Sequence, residues 1–252
     1  MSRTSSNSCP PPGSRPSLFA TPEWFDIWAA AFGGDQFGLW RKTGTASTAI
    51  VPYVKGHETI GGVPIPVVRS AQNFHSPSYD VIGNRGCHLD FDAMLADLDV
   101  AFAAFHDVSG DSTLWSAFAH LDRGRTQIEP MESAPYVDCT LDWTEYWAGR
   151  GRNLRANCET SRKRLSTTTV EIVTLRSTAE ILDARNLVYE IEASGWKGQR
   201  GSAIAQSEPT RVFYNRLLCD FSSIRGLVTL LIQQNKKECI MHSTFFFVAV
   251  EQ

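Results

Sequence analysis

The sequence predicts an α+β fold in which helices flank mixed and antiparallel sheets. Three observations predict it. The C-terminal part reads as strand, helix, loop, helix and then two strands joined by a polar turn, a pattern that is not doubly wound. The N-terminal part opens on an amphipathic helix followed by short β-type runs. Apolar residues make up 42% of the 252 and charged residues 20%, which leaves enough apolar area for a core.

The first elements follow from local signals. Residues 1–16 are rich in Ser and Pro and read as a disordered tail. Thr21 can cap a helix, Pro22 suits its first turn, and Gly33-Gly34 can end it. Trp24, Ile27, Trp28 and Ala31 share one face at spacings of three and four. Strands are predicted at 37–41 and 49–55. The run 63–68 carries two prolines and reads as an edge strand. Residues 73–80 form a turn-rich loop. A second helix is predicted over 89–106, on a stripe of Phe91, Met94, Leu95, Leu98, Phe102 and Phe105, and a strand over 114–118.

The second half begins near residue 136. A helical region is predicted over 143–165, with a joint at Gly149 and Gly151. One side of it is basic, with Arg150, Arg152, Arg155, Arg162, Lys163 and Arg164. A strand over 170–175 and a helix over 178–193 follow. In that helix Ile181, Ala184, Val188 and Ile191 face one way. A helix over 209–221 turns Val212, Phe213, Arg216 and Leu217 inward, and strands over 227–233 and 239–250 form a hairpin. The domain division expected is 17–135 and 136–252.

Bulk properties exclude several classes. The net charge of −3 provides no overall field toward nucleic acid or acidic lipid, so any basic site is local. No apolar run is long enough to span a membrane. The N-terminus lacks the apolar middle of a secretory signal, and a cytoplasmic location is expected. Cys9, Cys87, Cys139, Cys158, Cys219 and Cys239 are scattered without zinc spacing and read as reduced, mostly buried thiols. No metal is predicted. His57, His75, His88, His106, His120 and His242 are dispersed, and a hydrogen-bonding role suits His75 better than catalysis.

The segment 192–204 is the most informative. Gly195, Gly198 and Gly201 recur every third residue, with Lys197 and Arg200 between them. Such a loop lets the backbone approach a ligand and offers N–H groups to an anion. Trp196 supplies a flat stacking surface. The competing reading is a flexible connector whose tryptophan packs on the core, and spacing alone favours it slightly. Glu192 can act as a general base on an acceptor amine. A solvated helix face is the competing reading there, and it is preferred. The spacing is neither a P-loop nor a dinucleotide fingerprint. No nucleophile elbow surrounds Ser76, Ser194 or Ser202. The basic helix face reads as a solvated surface, because no aromatic interleaving accompanies it, and no nucleic-acid partner is expected.

Trp-Lys-Gly-x-x-Gly-Ser-Ala-Ile at 196–204, followed by Phe213-Tyr214, resembles a signature of bacterial GNAT-fold proteins grouped with FemAB and CelD. Pro135-Tyr136, Trp143-x-x-Tyr146, the basic run 152–165, Thr21-Pro-x-Trp24 and residues 73–77 resemble the same family in order. The resemblance covers nearly the whole chain beyond the tail. It implies two tandem GNAT-like halves and an N-acyltransferase. The donor would be acyl-CoA, such as acetyl-CoA, and the acceptor an amine on a small molecule or saccharide, in polysaccharide or cell-envelope metabolism. FemAB relatives carry a paired helical arm for aminoacyl-tRNA, and none is evident here.

On this reading Glu192 and Lys197 are the catalytic candidates. Trp196, Gly198, Arg200, Gly201, Ser202, Tyr214 and His75 are the substrate-binding candidates. Catalysis would rest on positioning and on backbone N–H groups stabilising an oxyanion. GNAT halves hold the donor pyrophosphate at a Gly-rich turn opening a helix. No such turn follows Val250, so the second half is expected to be incomplete, with an open apolar strand edge that a partner would cover. The alternative is an inactive, truncated remnant with a binding or structural role.

Overall fold

Thr21 opens the first helix as its sequence requires. Its Oγ1 accepts from the Trp24 N–H at 3.3 Å, and Pro22 occupies the first turn. The computed structural model describes residues 17–41, 49–83, 89–118, 121, 123–131, 142–166, 170–175, 177–221, 227–234 and 238–246. The tail expected at 1–16 and the boundary expected at 135/136 lie outside them, as do residues 247–252. The chain divides into two units, Met1–Met131 and Glu132–Gln252. The fold is α+β.

In the first unit, α1 (Pro22–Trp28) buries Trp24, Phe25, Ile27 and Trp28 and passes into a π-type turn, Ala29–Gly33. Strands β1 (Phe37–Arg41), β2 (Ile50–Ile60) and β3 (Val63–Ser70) form an antiparallel meander. Gly61 and Gly62 connect β2 to β3 with φ of 58° and 84°, the left-handed pair that a two-residue hairpin turn needs. That glycine pair carries β2 five residues past the predicted end at 55.

Three expectations fail in this unit. The helix predicted over 89–106 stops as α2 (Phe91–Leu98), because Asp99 turns left-handed with φ of 51°. The Lys55 ammonium donates to the Leu98 carbonyl at 2.8 Å and secures that end. The apolar residues after it form β4 (Phe102–Ala104), which runs parallel to β3. As a result β3 is not an edge strand. The Pro66 carbonyl accepts from the Ala101 N–H at 3.0 Å, so Pro64 and Pro66 aim their missing N–H groups away from β2. The ladder with β4 begins only at Val67, and the prolines cost it nothing.

The segment predicted as a strand over 114–118 is instead α3 (Thr113–Phe118). Its first N–H groups are capped by a distant side chain. Asp80 accepts from the N–H groups of Thr113 and Leu114, each at 2.9 Å. The core of this unit joins Val51, Val67, Val68, Tyr79, Met94 and Leu114.

In the second unit the helical region breaks where predicted. Helix α4 (Trp143–Ala148) and helix α5 (Arg152–Leu165) are separated by Gly149–Gly151. Strands β5 (Val170–Leu175), β6 (Leu227–Gln234) and β7 (Glu238–Phe246) form an antiparallel sheet with β6 in the middle. Between β5 and β6 lies α6 (Thr178–Ser194), which starts on a reciprocal capping box between Ser177 and Glu180. A short turn of helix, α7 (Trp196–Gln199), and then α8 (Glu208–Arg216) follow. The core here joins Leu175, Ile181, Val188, Tyr189, Ile204 and Leu218. Phe213 and Leu217 are buried as predicted, whereas Arg216 is exposed and pairs with Asp220 at 3.6 Å. Among the described residues, no helix is long and apolar enough to cross a membrane.

Candidate functional site

The region predicted as a Gly-rich loop is a tightly folded corner. Helix α6 ends at Ser194, extended Gly195 breaks the helix, and α7 begins at once. Gly198 sits against the last turn of α6. A Cβ there would lie 1.8 Å from the Ala193 carbonyl oxygen, so only glycine fits. Gly201 has φ of 72° and turns the chain back.

Hydrogen bonds then close the corner. Ser202 N–H donates to the Lys197 carbonyl at 2.9 Å, and Ser202 Oγ reaches the same oxygen at 3.3 Å. The Gln206 side chain donates to the Gly198 carbonyl at 3.1 Å and accepts from the Ala203 N–H at 3.2 Å. The remaining N–H groups of Gln199, Arg200 and Gly201 donate to Gly195, Trp196 and Gly198. Every N–H from 199 to 204 is thus bonded internally. Those six N–H groups are therefore not offered to an anion or oxyanion.

Glu192 organises the corner from below. Its side chain is 7% exposed, so it is not a solvated helix face. Lys197 Nζ lies 2.7 Å from Oε1, and the Ile204 N–H donates to Oε2 at 2.7 Å. A carboxylate with so little solvent needs such donors. Each of its oxygens has one.

Tyr214, on α8, is pushed above the ordinary tyrosine range, first by burial and then by the Glu192 charge. It is therefore a neutral phenol at physiological pH. Tyr189, on α6, donates to Asn215 Oδ1 at 2.9 Å, and burial chiefly pushes its pKa to about 12.

The outer surface is different. Trp196 is 59% exposed, which rules out a tryptophan packed on the core. The Arg200 guanidinium lies 5.3 Å from its ring centre. The corner thus stacks an open aromatic–cation face over a closed, charged and phenolic interior. The structure brings together Glu192, Trp196, Lys197, Gly198, Arg200, Gly201 and Ser202, with Tyr214 near the Glu192 charge.

His75 belongs to the first unit. Its backbone N–H donates to Asn73 Oδ1 at 3.0 Å, and its ring stacks on Phe32 at 5.6 Å. Among the described residues no group of three or more His, Cys, Asp or Glu is placed to hold a metal. Cys158 is an exposed free thiol and Cys219 a half-buried one, so the expected burial fails at Cys158.

Sequence reasoning missed Gln206 and Asn215. Gln206 lies three residues beyond Ala203, the spacing of a glutamine that turns back to bond a helix-start N–H, so a signal existed. Asn215 meets Tyr189 only across two packed helices, and no local signal reports that. No family model, no curated protein and no solved structure matches the chain.

Proposed function

We propose that the chain is an N-acyltransferase. It would move an acyl group from an acyl-CoA, such as acetyl-CoA, to an amine on a small molecule or saccharide. In the reaction a C–N bond forms at the acyl carbon and the C–S bond breaks. The amine loses a proton and the thiolate gains one. The observation that carries the reading is the corner itself: the open Trp196–Arg200 face above the Glu192–Lys197 pair, with the neutral Tyr214 phenol beside that charge. An indole with a guanidinium beside it suits the flat base and phosphates of a nucleotide-type donor. A protonated phenol suits delivery of a proton to a leaving thiolate. Glu192 and Lys197 position the corner on this proposal. The resemblance of 196–204 to the GNAT, FemAB and CelD grouping supports the same reaction, as it supports tandem halves.

Calorimetric titration with acetyl-CoA tests it. Saturable binding is expected, weakened several-fold in Trp196→Ala and Arg200→Ala, with turnover lost in Tyr214→Phe. Absence of binding by the folded protein sinks the reading.

One observation favours a second reading, a binding protein without turnover. Both Glu192 oxygens already hold donors, so the carboxylate presents no vacant base to an acceptor amine. That reading expects ligand binding at the same corner and no product with any amine acceptor.

A further inference from the structure

The basic helix is the solvated surface that its sequence suggests, and its chemistry carries a further inference. Every residue of α5 from Arg152 to Arg164 is exposed. The helix carries Arg152, Arg155, Arg162, Lys163 and Arg164 against a single acid, Glu159, in a chain whose net charge is −3. Arg162 pairs with Glu159 at 3.3 Å. A fourteen-residue helix, here without alanine-rich composition, is marginal in water by itself. A negatively charged surface would offset the excess of cations along it.

Aromatic side chains stand directly before it. Trp143 stacks on Trp147 with ring centres 5.4 Å apart, and on Tyr146 at 5.8 Å. The Arg150 guanidinium covers the Tyr146 ring at 4.3 Å. Trp143 is 67% exposed, and Leu154, at the start of α5, is 50% exposed. Leu154 and Cys158 lie one turn apart on one side, and Arg155 and Arg162 share the adjoining row. An open hollow of about 400 Å³ at the far end of α5 is lined by Glu159, Arg162, Lys163 and Ser166.

We propose that α4 and α5 dock the protein peripherally on an anionic lipid surface. Tryptophan and tyrosine rings settle at headgroup depth. Leu154 adds one apolar side chain beside those rings, and the cationic side chains of α5 reach the headgroup phosphates. At the hollow Glu159 already pairs with Arg162, and Lys163 adds a cation that can meet a headgroup phosphate. A single-stranded nucleic acid is the weaker match. The aromatic rings stack on one another and so use faces that bases would need. The exposed Leu154 also has no counterpart in such a ligand. This inference is independent of the acyl-transfer reading.

The test is co-sedimentation of the full chain with vesicles. One set is phosphatidylcholine alone, and the other contains about one-third phosphatidylserine. Binding to the anionic set alone is expected, and it should weaken as salt rises. Arg155→Gln with Lys163→Gln should lower the partition coefficient roughly twenty-five-fold, at about five-fold per charge. Trp143→Ala and Leu154→Gln should each lower it several-fold with the circular dichroism spectrum unchanged. The proposal is overturned if the folded protein ignores anionic vesicles at low salt. It is equally overturned if these variants bind as the parent does, or if a single-stranded RNA oligonucleotide binds tightly while vesicles do not.

Discussion

The Glu192 carboxylate lies 2.7 Å from the Lys197 ammonium, five residues further on, across the break between α6 and α7. The two ends of the pair are unequal. Glu192 is almost wholly enclosed, whereas the Lys197 side chain is nearly half exposed. An enclosed charge that loses its counterion costs more than an open one that does. Lys197→Met should therefore destabilise the second unit more than a surface pair would, by about 2 kcal/mol after allowance for the solvent around Lys197. Glu192→Gln keeps one acceptor for Ile204 and should cost about 1 kcal/mol. Urea titrations of both variants and of the double variant check this. If the single losses simply add, the pair is not coupled.

Gly198 and Gly201 should respond in opposite ways to alanine. At Gly198 the new methyl meets the Ala193 carbonyl oxygen at 1.8 Å, and the backbone must move. A loss of about 3 kcal/mol or more is expected. At Gly201 nothing lies within 4 Å, and only the left-handed φ of 72° opposes alanine. About 1 kcal/mol is expected there. Thermal melts of the two variants rank them, and an equal loss would refute the close packing of α7 on α6.

Alkaline pH should weaken the second unit through Tyr189. Its folded pKa of about 12 lies above the ordinary value of 10. Between those values the unfolded chain gives up the phenolic proton and the folded chain keeps it. The unfolded state then binds fewer protons, so stability falls as pH rises from about 10 to 12 and is fully present below 10. The loss is on the order of 2 kcal/mol. Tyr214 shifts the same way and adds to it. Tyr189→Phe should flatten the slope above pH 10 while costing about 1 kcal/mol at neutral pH for the bond to Asn215.

In the first unit, Asp80 should behave as a helix cap acting from a distance. It accepts from Thr113 and Leu114 and also from its neighbour Val81. Asp80→Ala should cost about 1–2 kcal/mol, and Asp80→Asn, which keeps one acceptor oxygen, roughly half of that. Hydrogen exchange at Thr113 and Leu114 reads the local effect. Unchanged protection in Asp80→Ala would remove the capping role.

Much of the fold was legible because local signals were enough. Thr21-Pro22 set the start of α1, and the Ile181 to Val188 spacing set the buried side of α6. The failures share one cause. The stripe over 89–106 is helical by period, but Asp99 breaks it and β3 recruits its second part as a strand. The segment at 114 became helical because Asp80 reached its first N–H groups. At the candidate site, the glycine spacing and the exposed residue types could be read directly. The fate of the N–H groups could not, since it depends on how the corner closes.

By itself, the sequence determined the α+β class, the break at Gly149–Gly151, the buried face of α6 and the residues of the 192–204 segment. Those follow from short-range periodicity and backbone preference, which act over a few residues. Only the tertiary structure decided that Glu192 is enclosed, that Trp196 points outward, and that Trp143, Tyr146 and Trp147 stack beside an exposed cationic helix. Burial, pairing and stacking depend on which groups are brought together in space, and a linear spacing does not encode that.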